Sequence, residues 1–179
     1  METLKNALVT IKPFNDSHLD EFVVAVRESE KTVGQWMPWC TSDYSIDEAR
    51  FWFKYCQLNI DNKSAYDLGI FLSENGQIAG GISINRINRM DKIGTIGYWV
   101  RESLQNQGIA SNAVELIKTF GFDTLGLTRL EIIILEDNVI SQRLTEKAGA
   151  KLECLARNRL IFNDSPRDAF VYSLIPKRD

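Results

Sequence analysis

The most constraining feature of this sequence is a short run in which every residue is apolar. Ile132, Ile133, Ile134 and Leu135 lie within a predicted strand at residues 129–136. Because side chains alternate between the two faces of a strand, this run is apolar on both faces, as a central strand requires. The run therefore predicts a sheet with parallel pairing near its centre.

Predicted helices and strands alternate around this central strand. Amphipathic spacing predicts helices over residues 16–29, 46–60, 109–125 and 138–148. Short runs of β-favouring residues predict strands over residues 8–12, 66–72, 77–85, 93–100, 151–156 and 168–174. We expect an α/β (α+β) fold with a mixed sheet of about six or seven strands, flanked by about four helices. The whole chain, residues 1–179, is expected to form a single domain.

Capping residues mark where the first two helices begin. Asp16 or Ser17 can cap the first helix, and Ser45 with Glu48 three residues later makes a capping box for the second. Three- and four-residue spacing predicts that the second helix buries a stripe that starts at Ile46.

The composition excludes several classes of function. With 21 Lys and Arg against 24 Asp and Glu, the net charge is −3, so general nucleic-acid binding is not expected. A single histidine argues against zinc and other His-based sites, and no metal is predicted. The apolar runs are shorter than the ~20 residues of a membrane span. The three widely spaced cysteines indicate reduced thiols, and we expect a cytoplasmic protein without a membrane partner.

A polar segment after the strand at residues 93–100 has the character of an anion-binding loop. It leads into a predicted helix, and Gly108 would let a ligand approach the backbone closely. The first N–H groups of a helix have no intrahelical partner and carry partial positive charge, so they bind phosphate without a cationic side chain. The segment lacks the signatures of a P-loop and of a Rossmann site. A loop that only opens a helix is the alternative.

This loop and a second motif together resemble the GCN5-related N-acetyltransferase (GNAT) superfamily. The loop motif Gln/Arg-x-x-Gly-x-Gly/Ala is met by Gln105, Gly108 and Ala110. The second motif, Asn-x-x-Ser/Ala followed by Glu-Lys-x-Gly-Phe, is met by Asn138, Ser141, Glu146, Lys147 and Gly149, with Ala150 in place of the usual Phe. Together with Ile96-Gly97-Tyr98-Trp99 and the turn Trp36-x-Pro38-Trp39, they resemble the RimJ/RimL type of ribosomal-protein N-acetyltransferase.

The resemblance implies a GNAT fold and a binding mode for acetyl-CoA. The sheet would splay between the strands at residues 93–100 and 129–136, and the pantetheine arm would enter the gap. Main-chain groups of Trp99, Val100 and Arg101 would bond the pantetheine amides. The pyrophosphate would be held by the N–H groups of Gln105, Asn106, Gln107, Gly108, Ile109, Ala110 and Ser111. Asn138 would bond the pantetheine arm and Ser141 would lie near the thioester sulfur, although a plain helix-capping role of Asn138 is compatible with this.

The implied reaction is transfer of the acetyl group of acetyl-CoA to a primary amine by direct attack on the thioester. By the resemblance, the Val100 N–H is the oxyanion donor. Thr95 and Thr145 stand where many relatives carry a Glu and a Tyr, which makes Ser141 the candidate proton donor. Without a strong base, a lysine amine (~0.04% neutral at pH 7) is a poorer acceptor than an α-amine (~14% neutral). We therefore predict the N-terminal α-amine of a (ribosomal) protein as the acceptor.

The acceptor side leaves alternatives open. Trp36, Trp39 and Tyr98 are candidate substrate-binding residues, although aromatic residues of this kind also form protein cores. A small amine such as an amino sugar, polyamine, amino acid or toxin is the alternative acceptor, because acceptor loops vary readily on one fold. The third hypothesis is a non-catalytic module that binds acyl-CoA. The resemblance also allows a homodimer.

Overall fold

The computed structural model describes residues 2–176, and its strands form one mixed sheet. The strands are β1 (Leu4–Lys5), β2 (Val9–Lys12), β3 (Tyr66–Leu72), β4 (Ile78–Asn88), β5 (Ile93–Val100), β6 (Arg129–Leu135), β7 (Lys151–Phe162) and β8 (Ser165–Leu174). Their order is β1-β2-β3-β4-β5-β6-β8-β7. Among the strands of the described residues only β5 and β6 pair in parallel, which confirms parallel pairing near the centre. Residues 2–176 form 8 strands, more than expected, because the two-residue β1 is too short to be seen in the sequence.

Four α-helices pack on the sheet, as the sequence predicts. They are α1 (Leu19–Glu28), α2 (Ile46–Asp61), α3 (Ile109–Thr119) and α4 (Val139–Lys147). The predicted third helix extends to residue 125, but its last turn is a π-helical turn over Phe120–Thr124.

Of the two predicted helix caps, the structure confirms the one at α2 and not the one at the first helix. The capping box of Ser45 and Glu48 is present at α2. A 3₁₀ turn, Asp16–His18, leads into α1, and its capping residue is Asn15, whose extended backbone lets its side chain accept the Ser17 N–H. Asp16 and Ser17 are already inside the turn, so the prediction that one of them is the cap is wrong. Ile46, the first residue of α2, is 39% exposed, and the buried stripe begins one turn later.

Two apolar layers lie on opposite faces of the sheet. One face packs against α3, and its cluster includes Ile84 and Ile132. The other face packs against α1 and α2, and its cluster includes Phe22, Phe53 and Trp99. Residues therefore alternate along each strand between a layer under α3 and a layer under α1 and α2.

The sheet opens between β5 and β6. These strands pair only where Ile93–Thr95 meets Arg129–Glu131. Beyond that point β5 stays with β4 as far as Val100, and β6 stays with β8 as far as Leu135. The predicted splay is therefore confirmed, and it leaves a wedge-shaped gap.

The hairpin of β7 and β8 is longer than predicted. Asn163 and Asp164 have φ of 48° and 58°, which is the two-residue turn that matches the twist of paired strands. Because of this turn, β7 continues beyond residue 156, where it was predicted to end, and β8 begins before residue 168, where it was predicted to start. The extension matters because Leu160–Phe162 forms part of the wall of the gap.

No helix among residues 2–176 has the length and apolarity that a membrane span needs.

Candidate active site

A cavity of about 310 Å³ occupies the gap between β5 and β6. Its walls come from both splayed strands, from the start of α4, from the β7 end of the hairpin and from the turn at residues 36–39. Among the lining residues are Trp36, Tyr98, Asn138 and Ser141. Tyr98 is thus brought together with the two α4 candidates, whereas Trp99, Val100, Arg101 and residues 105–111 are not among the residues that line this cavity.

A larger cavity of about 680 Å³ lies on the face that α1 and α2 cover. Its wall is rich in aromatic residues, which are Phe14, Phe22, Trp39, Tyr44, Phe51, Trp52, Tyr98 and Trp99. Four residues line both cavities: Met37, Trp39, Gly97 and Tyr98. The two cavities therefore meet around Tyr98, and Trp36 lines only the smaller one.

Tyr98 forms a hydroxyl cluster with α4 at this junction. Its hydroxyl lies 2.7 Å from Ser141 Oγ and 3.3 Å from Thr145 Oγ1. Burial raises the pKa of the Tyr98 phenol, and the hydrogen bonds from Ser141 and Thr145 offset only part of that effect. Tyr98 is therefore protonated at neutral pH and can donate its proton to Ser141.

Asn138 caps α4 and keeps a free amide beside the gap. Its Oδ1 accepts the Ser141 N–H at 3.1 Å, which fixes the first turn of the helix. Among residues 2–176 no acceptor takes a hydrogen bond from its side-chain NH₂. Because Asn138 lines the smaller cavity, capping the helix and binding a ligand are compatible for this residue.

The end of β5 presents alternating main-chain groups to β4 and to the gap. The Arg101 N–H donates to the Ala79 carbonyl at 2.9 Å. Because successive N–H groups of a strand point in opposite directions, the Val100 N–H points away from β4 and toward the gap. Gly80, with φ of 150°, allows the two strands to come this close, because a Cβ there would collide with the Trp99 carbonyl.

The loop before α3 forms a cradle of unpaired N–H groups. Asn106 and Gly108 have positive φ, at 62° and 77°, and no acceptor within residues 2–176 takes the backbone N–H of residues 106–111. Consecutive free N–H groups at a helix start form an anion site without any Lys or Arg. The residues present therefore fit a pyrophosphate.

Gln105 braces this loop. Its backbone N–H donates to the Glu102 carbonyl at 3.2 Å, and its side-chain Nε2 donates to the Val100 carbonyl and to Thr32 Oγ1. The Gln105 N–H is thus engaged within the protein, and the side chain ties the anion loop to the end of β5.

An ion pair fixes the same region from the side of α1. The Arg101 guanidinium, whose side chain is 10% exposed, bonds both carboxylate oxygens of Glu28 at 2.7 Å. Ser103 Oγ also donates to Glu28. The hydrogen bond from Arg101 is the main reason why the pKa of Glu28 is lowered to about 2.

We expect Glu28→Gln to lower the free energy of unfolding by about 2 kcal/mol at pH 7. The ordinary Glu pKa is 4.5 and the folded value is about 2, so the ionised carboxylate stabilises the fold fully above the ordinary pKa. That stabilisation is lost as the pH falls through the folded pKa. Urea unfolding of the wild type and of Glu28→Gln between pH 7 and pH 2 measures how this stabilisation depends on pH. Glu115→Gln, which breaks the exposed pair with Lys118, is the control and should cost less than about 0.5 kcal/mol. A pH-independent difference between wild type and Glu28→Gln would contradict the role of this pair.

Comparison with known proteins identifies the family. Residues 9–151 match the family model described as an acetyltransferase (GNAT) domain. The chain belongs to the GNAT acetyltransferases. This membership confirms the predicted fold, the enzyme class and acetyl-CoA as the cosubstrate.

The names of similar proteins are consistent with this GNAT assignment. The ribosomal-protein-serine acetyltransferase of Escherichia coli (strain K12) is 26% identical over 147 residues, covering 76% of this chain and 82% of that protein. A solved structure from Vibrio cholerae, provisionally named a ribosomal-protein-serine acetyltransferase, is 31% identical, with a TM-score of 0.88 over 98% of each chain. The RimL ribosomal α-N-protein acetyltransferase, solved with coenzyme A, has a TM-score of 0.85 at 24% identity, over 97% of this chain and 98% of that one.

The larger cavity also contains polar residues that the sequence analysis does not name. Asp67, Ser83 and Asn85 line the larger cavity, and none belongs to a recognised motif. The sequence signal that could have found Asp67 is that it is the one acidic residue in the otherwise apolar run of β3. Within residues 2–176 no three His, Cys, Asp or Glu side chains are grouped so that they could hold a metal ion.

Proposed function

We propose that this GNAT enzyme acetylates the N-terminal α-amine of a ribosomal protein. The observation that carries the proposal is the junction of the two cavities at Tyr98 and Ser141. An acetyl donor in the smaller cavity and an amine in the larger one would meet there. The names of the Escherichia coli relative and of RimL support a ribosomal-protein acceptor.

The residues around the smaller cavity can hold acetyl-CoA, which supplies the acetyl thioester when it is bound. The N–H groups of residues 106–111 would bind the pyrophosphate, and Gln105 would fix that loop through its side chain. The main chain at Trp99–Arg101 borders the gap, where the Val100 N–H is free for a ligand. The Asn138 amide would bond the pantetheine arm.

The chemistry then depends on hydrogen-bond donors at the junction. The Val100 N–H would donate to the carbonyl oxygen as negative charge develops on it. Ser141 would donate its proton to the leaving sulfur, and Tyr98, 2.7 Å away, would return a proton to Ser141. The proton that the attacking amine loses as the amide forms would restore the Tyr98 hydroxyl. These donors stabilise charge that develops during the reaction, which is where binding energy accelerates a chemical step.

Within residues 2–176 no carboxylate or imidazole bonds the Tyr98–Ser141 pair, and the lack of a base at that position favours an α-amine. Thr95 is the last β5 residue paired with β6, and neither it nor Thr145 can accept a proton at neutral pH. No histidine is among the residues that line either cavity in the described chain. The pKa values of a lysine amine and an α-amine differ by about 2.6, which corresponds to roughly 3.5 kcal/mol of deprotonation free energy.

The test compares two peptides of matched sequence at pH 7. One has a free N-terminus and no lysine, and the other has a blocked N-terminus and one lysine. We expect release of free CoA thiol to be roughly 100-fold faster with the first, because far more of its amine is neutral. A blocked, lysine-free peptide gives the background rate. Equal rates for the two test peptides would overturn the proposal.

Two further expectations remain predictions. The cysteines among the described residues are free thiols, with Cys40 and Cys56 buried, and this supports the proposed cytoplasmic location. The homodimer that the family resemblance allows also remains to be measured.

A further inference from the structure

A row of polar side chains crosses the floor of the larger cavity. In the register of the sheet Asp67 on β3 faces Ser83 on β4, and Ser83 faces Gly97 on β5. Asn85 extends the row and donates its amide to Ser83 Oγ at 3.0 Å. Gly97 has no side chain, so the row is open to the junction at its β5 end.

Asp67 is the unusual member of this row. The residue is only 9% exposed, yet no hydrogen bond within 3.5 Å reaches its carboxylate from residues 2–176, and no Lys, Arg or His of that range lies within 4 Å of it. Burial raises the pKa of Asp67, and the Asn59 amide offsets part of that rise. The Asn59 amide is thus the neutral group that offsets the burial of this carboxylate, and no cation within residues 2–176 pairs with it, so a bound cation would stabilise it further.

The rest of the larger cavity is suited to a cation. Its lining includes Asp47, Glu48 and Asp67, and among the described lining residues there is no Lys, Arg or His. Asp47 is paired with Arg50, and the Glu48 carboxylate caps α2, so Asp67 is the acidic residue of this lining that is left for a ligand. The aromatic walls include Trp39 and Trp52, whose ring faces attract cations. A positively charged group would therefore be drawn into this cavity, with Asp67 at its floor.

The distance from Asp67 to the junction sets the size of the acceptor. Asp67 lies two strands away from β5, which is about 10 Å across the sheet. An ion pair takes up about 3 Å of that distance, which leaves about 7 Å between the reacting nitrogen and the second cation. A lysine or arginine side chain spans about this length from its own α-nitrogen.

We propose that the acceptor carries a second, cationic group next to the reacting amine, and that Asp67 binds it. The ligand class is a primary amine with a basic side chain, such as a protein whose N-terminal residue is lysine or arginine. This inference rests on the proposed function and adds the acceptor specificity to it.

The experiment uses two peptides that differ only in their first residue, arginine or its neutral isostere citrulline. Binding of each peptide to the CoA complex is measured by calorimetry, and acetyl transfer is measured by thiol release. We expect the wild-type protein to favour the arginine peptide roughly 10- to 100-fold in both. Asp67→Asn, which keeps the shape of the side chain, should bind and acetylate the two peptides equally well.

The control variant is Asp123→Asn, which changes the net charge equally at an exposed position outside both cavities. It should keep the full preference for arginine. Thermal unfolding of Asp67→Asn should show a Tm no lower than that of wild type, because the substitution removes a buried carboxylate that no cation neutralises. A wild-type protein without preference, or an Asp67→Asn variant that keeps it, would overturn the inference.

A second pair of acceptors separates the inference from the proposed function. Agmatine and its neutral ureido analogue carry the same two end groups on a small amine. Suppose that the arginine peptide binds better than the citrulline peptide, and agmatine better than its ureido analogue, while only agmatine is acetylated. In that case the role of Asp67 stands and the protein acceptor is wrong. If the citrulline peptide is acetylated as well as the arginine peptide, the protein acceptor stands and the role of Asp67 is wrong.

Discussion

Replacing Ser141 with alanine is expected to lower kcat for acetyl transfer by roughly 100- to 1,000-fold, the range of a lost general acid. The Ser141 hydroxyl lies at the junction of the cavities, 2.7 Å from the Tyr98 hydroxyl. The first turn of α4 should be unaffected, because Asn138 caps it through the Ser141 backbone N–H. KM for acetyl-CoA should therefore change by less than about twofold. Steady-state thiol release with a saturating peptide measures both constants.

Two further variants test the proton path and provide a control for Ser141→Ala. Tyr98→Phe removes only the second hydroxyl of the pair, so its loss in kcat should be smaller, roughly 10-fold. Ser165→Ala removes a serine hydroxyl at an exposed hairpin position and should leave kcat unchanged. A Ser141→Ala enzyme with wild-type kcat would show that another group protonates the leaving thiolate.

Replacing Gly108 with aspartate is expected to weaken acetyl-CoA binding by at least about 100-fold. The new carboxylate would stand among the free N–H groups of residues 106–111, against the pyrophosphate, and juxtaposed like charges cost several kcal/mol. In wild type, acetyl-CoA at about 100 times its Kd should add ~2.7 kcal/mol to the free energy of unfolding. The shift of Tm with acetyl-CoA should be lost in the variant.

Gly76 provides a matched control for this substitution. It has the same φ of 77° as Gly108, and a Cβ there would meet nothing within 4 Å. Both aspartate variants therefore pay a similar backbone cost, roughly 1 kcal/mol, and both add one negative charge. Only Gly108→Asp should lose acetyl-CoA. Equal binding by the two variants would show that the loop before α3 does not hold the cosubstrate.

The parts of the fold that follow from local periodicity could be predicted from the sequence. The apolar run around Ile132 marks the central strand, and the Ser45–Glu48 spacing marks the start of α2. The cap at Asn15 and the long β7–β8 hairpin were missed. Both depend on the backbone conformation of short polar segments, where residues such as Asn163 favour a turn without any periodic pattern to show its ends.

The site could be predicted only where a motif carries it. The free N–H groups around Gly108 are expected from a polar loop that leads into a helix, and the family resemblance points to Ser141; the ligand contacts of both stay predictions. The contact between Tyr98 and Ser141 does not, because it joins β5 to α4 through the splay of the sheet. Asp67 was missed for a similar reason: its burial and its place on the cavity floor depend on the packing of α2 and on the register of β3 with β4.

The most direct test of the proposed reaction is a crystal structure with a bisubstrate analogue, in which the sulfur of CoA is joined through an acetyl bridge to the α-nitrogen of a peptide. We expect the pyrophosphate on the N–H groups of residues 106–111 and the peptide in the larger cavity. The sulfur should lie within about 4 Å of Ser141 Oγ, near enough for a proton to pass between them. A peptide bound outside the larger cavity, or a sulfur remote from Ser141, would contradict the proposed reaction.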